Sequence, residues 1–406
     1  MRLKPDSFAF TLFLAAIGAL SPLAIDMGLP ALSAIGRSLD IRPAIAGLTL
    51  SVFMAGFAIG PLAAGPLSDR LGRKRLLLTG LVLFAIGGLA AAASPSIGWL
   101  LVARALQGVG GGSNATLAYA IIRDLFEGRA AHRRIASVAV VSTTAPMIAP
   151  SLGALVLGVA SWRAIYGITG VLALAVIAMV MWGLTETLPP TGRRRGLLLP
   201  QLVQDVISLN HNRTYLLHSA INALGFAALF SYVSGSPLIV LGLLKATQAT
   251  YAMLFAATSF SIIAGAFVNG QLAVRLAVPA RMLGIGTLLA LAADLALLAL
   301  TLAHWITLPR LVPLLLLANF AFGLIAPSAA HGALEPVPRQ AGVASGLLTT
   351  TQMVCGSFGS ALVSALFPRF GILAVTGPML LFALLAAGAW LLLQRTREPD
   401  RGVAPG

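Results

Sequence analysis

Twelve stretches of this chain are apolar for long enough to cross a lipid bilayer, and no other feature limits its fold so severely. A spanning helix needs about 20 mainly apolar residues. The stretches cover residues 8–30, 43–66, 76–93, 98–121, 134–159, 162–186, 213–242, 247–272, 282–303, 310–331, 341–368 and 370–394. Composition matters here because 58% of the chain is hydrophobic and 10% charged, where a soluble domain carries about 25% charge. A soluble protein this apolar could not cover its own surface. The 42 glycines suit membrane helices whose backbones must approach closely. The fold class expected is therefore an all-α integral membrane protein.

A formal net charge of +15 would suit nucleic acid if the bases were clustered. They are not. Of the 27 Lys and Arg, with those at the edge of a stretch counted to the adjoining loop, twenty fall in one alternating set of loops, six in the other, and one, Arg104, well inside a stretch. That asymmetry orients a membrane protein and does not build a polyanion site. The dense loops hold Arg70 to Arg75, Arg123 to Arg134, Arg193 to Arg195, Arg275 with Arg281, and Arg339. Both termini are basic too, and an even number of helices puts both in the cytoplasm.

The longest connection, 187–212, contains Pro189, Pro190 and Arg193-Arg194-Arg195. It reads as a cytoplasmic linker between an N-terminal six-helix bundle, 1–186, and a C-terminal bundle, 213–406. A helix near Gln201 to Asn210 would lie at the membrane surface. Internal repetition supports the division. Gly65, Leu67, Arg70 and Leu71 recur as Gly270, Leu272, Arg275 and Leu276, although Val274 stands in place of Asp69. Ala136-Ser137 recurs as Ala344-Ser345, and Ser151 and Gly153 recur as Ser357 and Gly359. Repeats of similar orientation are a known transporter architecture.

Several functions are excluded. The single cysteine, Cys355, allows no internal disulfide and no cysteine metal cluster. There is no phosphate-binding loop, so ATP does not drive the protein. No His-Glu metal motif or nucleophile triad is visible, and the outer loops are too short for a catalytic loop, so an enzyme is not expected. The first apolar stretch is too long for a signal-peptide core.

The run Gly65-Pro66-Leu67-Ser68-Asp69-Arg70-Leu71-Gly72-Arg73-Lys74-Arg75 places one acid and four bases in a tight turn between two apolar stretches. It resembles the signature loop of the major facilitator superfamily, G-x-L-(small)-D-R-x-G-R-(K/R), at every constrained position. The resemblance implies twelve transmembrane helices in two pseudo-symmetric six-helix bundles. It also implies a conformational latch made by Asp69, Arg70, Arg73 and Asp124. In the family the loop acid meets the N-terminus of helix 11, here near Ala341 to Ser345, and a loop arginine reaches Asp124. A carboxylate at a helix N-terminus gains about 0.3–1 kcal/mol, enough to bias two states.

Asp26 lies in Pro22-Leu23-Ala24-Ile25-Asp26-Met27-Gly28-Leu29-Pro30. A carboxylate at membrane depth is costly and should face the bundle interior or a wet cavity. Arg104 is the natural partner, since both residues lie a few positions from the outer ends of their stretches. Arg104-Ala105-Leu106-Gln107-Gly108 resembles the fourth-helix R-x-x-Q-G motif, whose arginine serves proton relay in coupled members. Asp26-Met27-Gly28-Leu29-Pro30-Ala31-Leu32 is similar to the D-M-x-L-P-A-(L/M) run of the Bcr/CflA-like drug:proton antiporters, which usually carry Tyr where Gly28 stands. Trp162-Arg163-Ala164-Ile165-Tyr166 is similar to the W-R-x-I-F run of that subfamily. Ala145 to Ala154 resembles the antiporter motif G-x-x-x-G-P-x-x-G-G, with alanine at three of the four glycine positions. Pro146, Pro150 and Gly153 suit a hinge there.

The resemblance implies proton-coupled efflux of small hydrophobic or amphipathic drugs across the bacterial inner membrane by alternating access. A proton symporter importing a small metabolite is the alternative, disfavoured by a cavity poor in polar residues. No cofactor is expected, since the proton gradient supplies energy. The expected partners are the bilayer, protons and a small hydrophobic substrate, with the chain working as a monomer. Candidate substrate contacts are Asn222, Phe226 and Phe230, Asn319 and Phe322, and Gln352. Asp294, mid-way along the ninth stretch, is either a second proton site or locally hydrogen-bonded. His218 and His331 are expected at the interface.

Overall fold

The computed structural model describes residues 7–126, 128–188, 198–276 and 279–397. Twelve long helices account for most of them. They are α1 (Phe8–Asp26), α2 (Leu48–Leu71), α3 (Arg73–Ala92), α4 (Ile97–Leu125), α5 (Gly128–Val159), α6 (Trp162–Gly183), α7 (Arg213–Pro237), α8 (Gln248–Leu276), α9 (Pro279–Leu302), α10 (Leu308–Leu334), α11 (Ala341–Phe370) and α12 (Leu373–Arg397). Among the described residues, eleven helical stretches are both long and apolar enough to cross a membrane. α4 is the twelfth. It runs for 29 residues, but Arg104 and the glycines at 98, 108, 110, 111 and 112 dilute its apolar character.

Helix ends run past the apolar stretches. α2 continues through Ser68, Asp69 and Arg70, and α5 begins at Gly128, not at 134. An α-helix satisfies its own backbone in lipid and in water, so a local stop signal ends it, not the edge of the hydrocarbon. For α2 the stop is Gly72 at φ 96°, a conformation that costs a side-chain-bearing residue. α3 starts at the next residue.

The chain forms two compact units. One comprises Met1–Leu198 with Lys245–Ala256, the other Leu199–Leu244 with Ala257–Gly406. The attachment of Lys245–Ala256 to the first unit has no signal in the sequence. The two units repeat one packing scheme. In the first, α1 packs on α5, and α3 on α4 and α6; in the second, α7 packs on α11, and α9 on α10 and α12. Gly56 and Gly60 of α2 face α4, and Gly265 of α8 likewise meets Phe320 and Gly323 of α10. Outward-facing apolar side chains such as Val102, Leu155, Val171, Phe267 and Leu391 form the face that lipid would cover.

Pro189, Pro190 and the Arg193-Arg194-Arg195 triplet lie outside the described residues. So do the side chains of Val274 and Arg275, in the second copy of the loop. Beyond the linker, Leu198–His211 is helical. Val203 and Ile207 are exposed on it, while Leu209 is buried with Tyr215, Ala333, Ala344 and Leu348. Gln340 donates to Asp205 at 3.0 Å and so ties this helix to the rest of the second unit.

Candidate functional site

Asp26 is the last residue of α1, and Pro30 explains why. An α-helix would need the backbone N–H of residue 30 to donate to the Asp26 carbonyl, and proline has none. The chain takes a short 3-10 turn at Leu29–Ala31 and resumes as Leu32–Ser38. The helical path therefore continues twelve residues beyond Asp26, about 18 Å at ~1.5 Å per residue. Asp26 is 5% exposed. The chain after it packs into an apolar cluster that includes Met27, Ala31, Leu32, Leu100, Ala149 and Tyr166. Gly153 of α5 backs directly onto the Met27 carbonyl. Any side chain there would drive α5 away from the Asp26 turn.

Arg104 is 1% exposed and fully enclosed in the first unit. Its Nη1 donates to Gln107 Oε1 at 2.6 Å, and its Nε donates to the Thr49 carbonyl at 3.4 Å. The guanidinium lies 4.3 Å from the Phe53 ring centre and 5.1 Å from that of Tyr166. The local sequence dictates this arrangement. Residues 104, 107 and 108 share one helix face. Gly108 lets α4 settle against the Phe53 carbonyl of α2, which brings the Arg104 guanidinium over the Phe53 ring. Gln107 in turn donates to Thr169 Oγ1 of α6 at 3.1 Å, and Thr169 donates to the Tyr166 carbonyl at 2.8 Å. Gln107 and Tyr166 fall within the sequence motifs but carry no role there. The three-residue spacing of Arg104 and Gln107 was the available signal for the first.

The expected pairing of Asp26 with Arg104 is corrected by the structure. Among the described residues no ion pair joins them; the pairs formed are Arg73–Asp69 and Arg73–Asp124. Matched depth rested on a helix ending at residue 30, whereas the helical path runs on to Ser38. Arg104 instead spends its donors on Gln107 and Thr49. Tyr166 bridges the two neighbourhoods, with its ring on the guanidinium and its hydroxyl against Gly28, where an added Cβ would sit 3.2 Å from the oxygen. The glycine at position 28 thus leaves room for Tyr166.

At the opposite end of the unit, Arg73 is the hub of a polar network. It contacts Asp69 through Nη1 at 2.6 Å and Asp124 through Nε at 2.9 Å, and it also donates to the Ser68 hydroxyl. Its backbone N–H donates to Glu186 Oε1 at 2.8 Å, and the Thr187 hydroxyl donates to Asp124 at 3.1 Å. Lys74 donates to the Met181 carbonyl at 3.0 Å. Three helix ends, those of α2, α4 and α6, thus meet at the start of α3. Arg70, a candidate for the same set, is exposed and takes no part in these contacts. Glu186 and Thr187 were not foreseen, since they follow α6 in a short polar run with no motif.

Pro146 and Pro150 lie inside α5, with Pro150 buried. In the second unit the Phe226 and Phe230 rings pack tilted at 4.5 Å between centres, and Phe322 joins Phe226 at 5.9 Å. Asn319 and Phe322 line a cavity of ≈ 30 Å³. Asn222, Phe226 and Phe230 stay outside it, because the lining face of α7 runs through Gly225, Leu229 and Tyr232, and Gln352 stays outside because α11 contributes no wall. Drug-sized ligands need about 300–1,000 Å³, so this cavity does not take one. His331 is exposed. His218, expected at the interface, is instead 2% exposed and packs against Gly332, with its Nδ1 2.8 Å from the Thr214 carbonyl.

Two units of the same packing scheme, the first with a basic turn at which three helix ends meet, are the architecture of a membrane transporter. The model of the Major Facilitator Superfamily matches residues 14–360, and the chain belongs to that family. It is 32% identical over 376 residues to the multidrug resistance protein MdtL of Shewanella sp., covering 91% of this chain and 90% of that one. It is 26% identical over 374 residues to a bicyclomycin resistance protein homolog of Haemophilus influenzae, covering 90% and 91%. An uncharacterized MFS-type transporter of Bacillus subtilis, YdgK, is 30% identical over 360 residues, with 88% and 89% covered. Among solved structures, an inward-facing bacterial homolog of the lysosomal transporter Spinster superposes with a TM-score of 0.77 at 17% identity, covering 98% of both chains. That likeness bears on the fold alone.

Proposed function

We propose that this protein exports small hydrophobic or amphipathic drugs across the bacterial inner membrane in exchange for protons. The burial of Asp26 carries the reading. The carboxyl group sits at a helix break inside one bundle, 5% exposed and without an ion-pair partner among the described residues. A carboxylate so placed is costly unless it is protonated, hydrated or paired. Its charge state is therefore tied to whether water or substrate reaches it. The names of the relatives, multidrug resistance and bicyclomycin resistance proteins, favour export of drugs over import of a metabolite.

In the proposed cycle drug enters from the cytoplasm and Asp26 gives up its proton. The bundles rock, drug leaves outward, and Asp26 is protonated again. Arg104 acts on Asp26 through Tyr166 and the fixed helix packing, not by direct pairing. The Arg73 network serves as the cytoplasmic latch, and Pro146, Pro150 and Gly153 as the bend in α5. Phe226, Phe230 and Phe322, with Asn222 and Gln352, offer apolar and amide contacts to substrate. One proton falling through roughly 100 mV supplies about 2.3 kcal/mol, which corresponds to accumulation of some tens-fold. The distribution of Lys and Arg supports a cytoplasmic position for both termini.

The test is dye or antibiotic efflux from proteoliposomes under an imposed pH gradient. Asp26→Asn should abolish gradient-driven transport while leaving substrate binding measurable. Full coupled efflux by that variant would remove Asp26 from the mechanism, and uptake of a nutrient in place of efflux would favour the symporter.

A further inference from the structure

A small cavity inside the second unit shares only the Phe322 wall with the proposed substrate contacts, and its polar groups have no part in the transport scheme. Its polar lining comes from Tyr232 of α7, Thr287 and Asp294 of α9, and Asn319 of α10, with Phe322 and Met379 among the apolar walls. Its volume of ≈ 30 Å³ suits a water or two, since one water needs about 10–15 Å³. All of its walls belong to one unit.

Two acceptor oxygens at this cavity have no donor. Asp294 Oδ1 and Asn319 Oδ1 are buried without a hydrogen-bond partner among the described residues. The two residues are 2% and 3% exposed. Asn319 Nδ2 already donates to the Leu315 carbonyl at 2.7 Å. That bond fixes the orientation of the amide and leaves its oxygen end free. The Thr287 hydroxyl is committed to the Leu283 carbonyl at 2.8 Å, and Tyr232 Oη to Thr258 Oγ1 at 3.0 Å. Tyr232 is the titratable side chain that faces the cavity from a neighbouring helix, and no Lys, Arg or His lines it. Asp294 also lies deep. It is 15 residues from the start of α9 and eight from its end, about 22 Å and 12 Å of helix.

An unpaired buried acceptor is costly, and an uncompensated carboxylate at membrane depth is costlier still. One hydrogen ion answers both. On the Asp294 carboxyl it removes the charge and supplies an O–H donor, and a water in the cavity can pass that hydrogen bond to Asn319 Oδ1. A metal cation fits less well, because Na⁺ would need several oxygen ligands and the cavity presents few. We infer that Asp294, with Asn319 as its polar partner, is a second proton-binding site, built into the C-terminal bundle and separate from Asp26. The inference does not depend on Asp26 being the coupling residue.

The experiment is infrared difference spectroscopy on the full chain in lipid nanodiscs, between acidic and alkaline buffer. An Asp26→Asn background silences the other buried acid. A carboxylic C=O stretch from a protonated buried acid is expected, and it should be lost in Asp26→Asn/Asp294→Asn. In Asp26→Asn/Asn319→Leu the band should remain but shift upward, since the acid has lost its hydrogen-bonded partner. A band indifferent to Asp294→Asn overturns the inference, as does a signal that appears only when Na⁺ is added. If Asp294→Asn does not fold, the Asn319→Leu variant decides: an unmoved band rules out the pair.

Discussion

Gln107 is the point at which the buried cation of the first unit is most open to attack. Replacing it with leucine changes side-chain volume little but removes the 2.6 Å acceptor for Arg104 Nη1 and the 3.1 Å donor to Thr169. A hydrogen bond to a charged group contributes about 1.5–3 kcal/mol and a neutral one about 0.5–1.5. Arg104 is 1% exposed, so salt does not screen the loss. The stacking on Phe53 and Tyr166 survives the substitution. Gln107→Leu should therefore destabilise the protein by about 2–4 kcal/mol. Thr169→Val should cost less, about 1–2 kcal/mol, because it breaks only neutral bonds, the one from Gln107 and the hydroxyl's own to the Tyr166 carbonyl. The double variant should cost less than the sum of the two single variants, by about 0.5–1.5 kcal/mol, since both remove the one Gln107–Thr169 bond. Unfolding in mixed SDS and mild detergent, followed by tryptophan fluorescence, measures all three. Equal costs for the two single variants, or strict additivity in the double, would refute the view that Gln107 holds the guanidinium.

Two further tests address different links. At the crossing of α2 and α4, a Cβ on Gly108 would overlap the Phe53 carbonyl, whereas one on Gly98 meets nothing within 4 Å. Gly108→Ala should lower stability by about 1–3 kcal/mol through overpacking, while Gly98→Ala should be neutral or stabilising by up to about 1 kcal/mol; melting in detergent distinguishes them, and the same sign for both would contradict the packing. Arg73→Ala should leave Asp69 and Asp124 facing one another without their shared cation. A double-mutant cycle of Arg73→Ala with Asp124→Asn, read by melting in low and high salt, should give a coupling of about 1–2 kcal/mol, above the surface-pair median because Arg73 is 11% exposed; a coupling near zero would make the network incidental.

Much of the fold was legible in the chain because the bilayer is a severe solvent. It demands long apolar segments whatever their neighbours, so the twelve stretches could be counted before any contact was known. Gly72 and the bases after it likewise announced the turn between α2 and α3. The Asp26–Arg104 pairing was misread for a related reason. Hydropathy marks where an apolar run thins out but not where a helical path ends, and the 3-10 turn at Leu29–Ala31 carried the path on to Ser38. Glu186 and Thr187 were invisible because no spacing rule links them to Arg73, more than a hundred residues away.

Local chemistry therefore set the count of helices, their breaks and the side on which the bases gather, since each depends on a residue and the solvent around it. That the Thr49 carbonyl accepts from the guanidinium of Arg104, and that Asp294 and Asn319 look into one small cavity, were decided by how helices distant in the chain pack. Hydrogen bonds act over about 3 Å, and proximity on that scale between remote residues exists only once the bundle has closed.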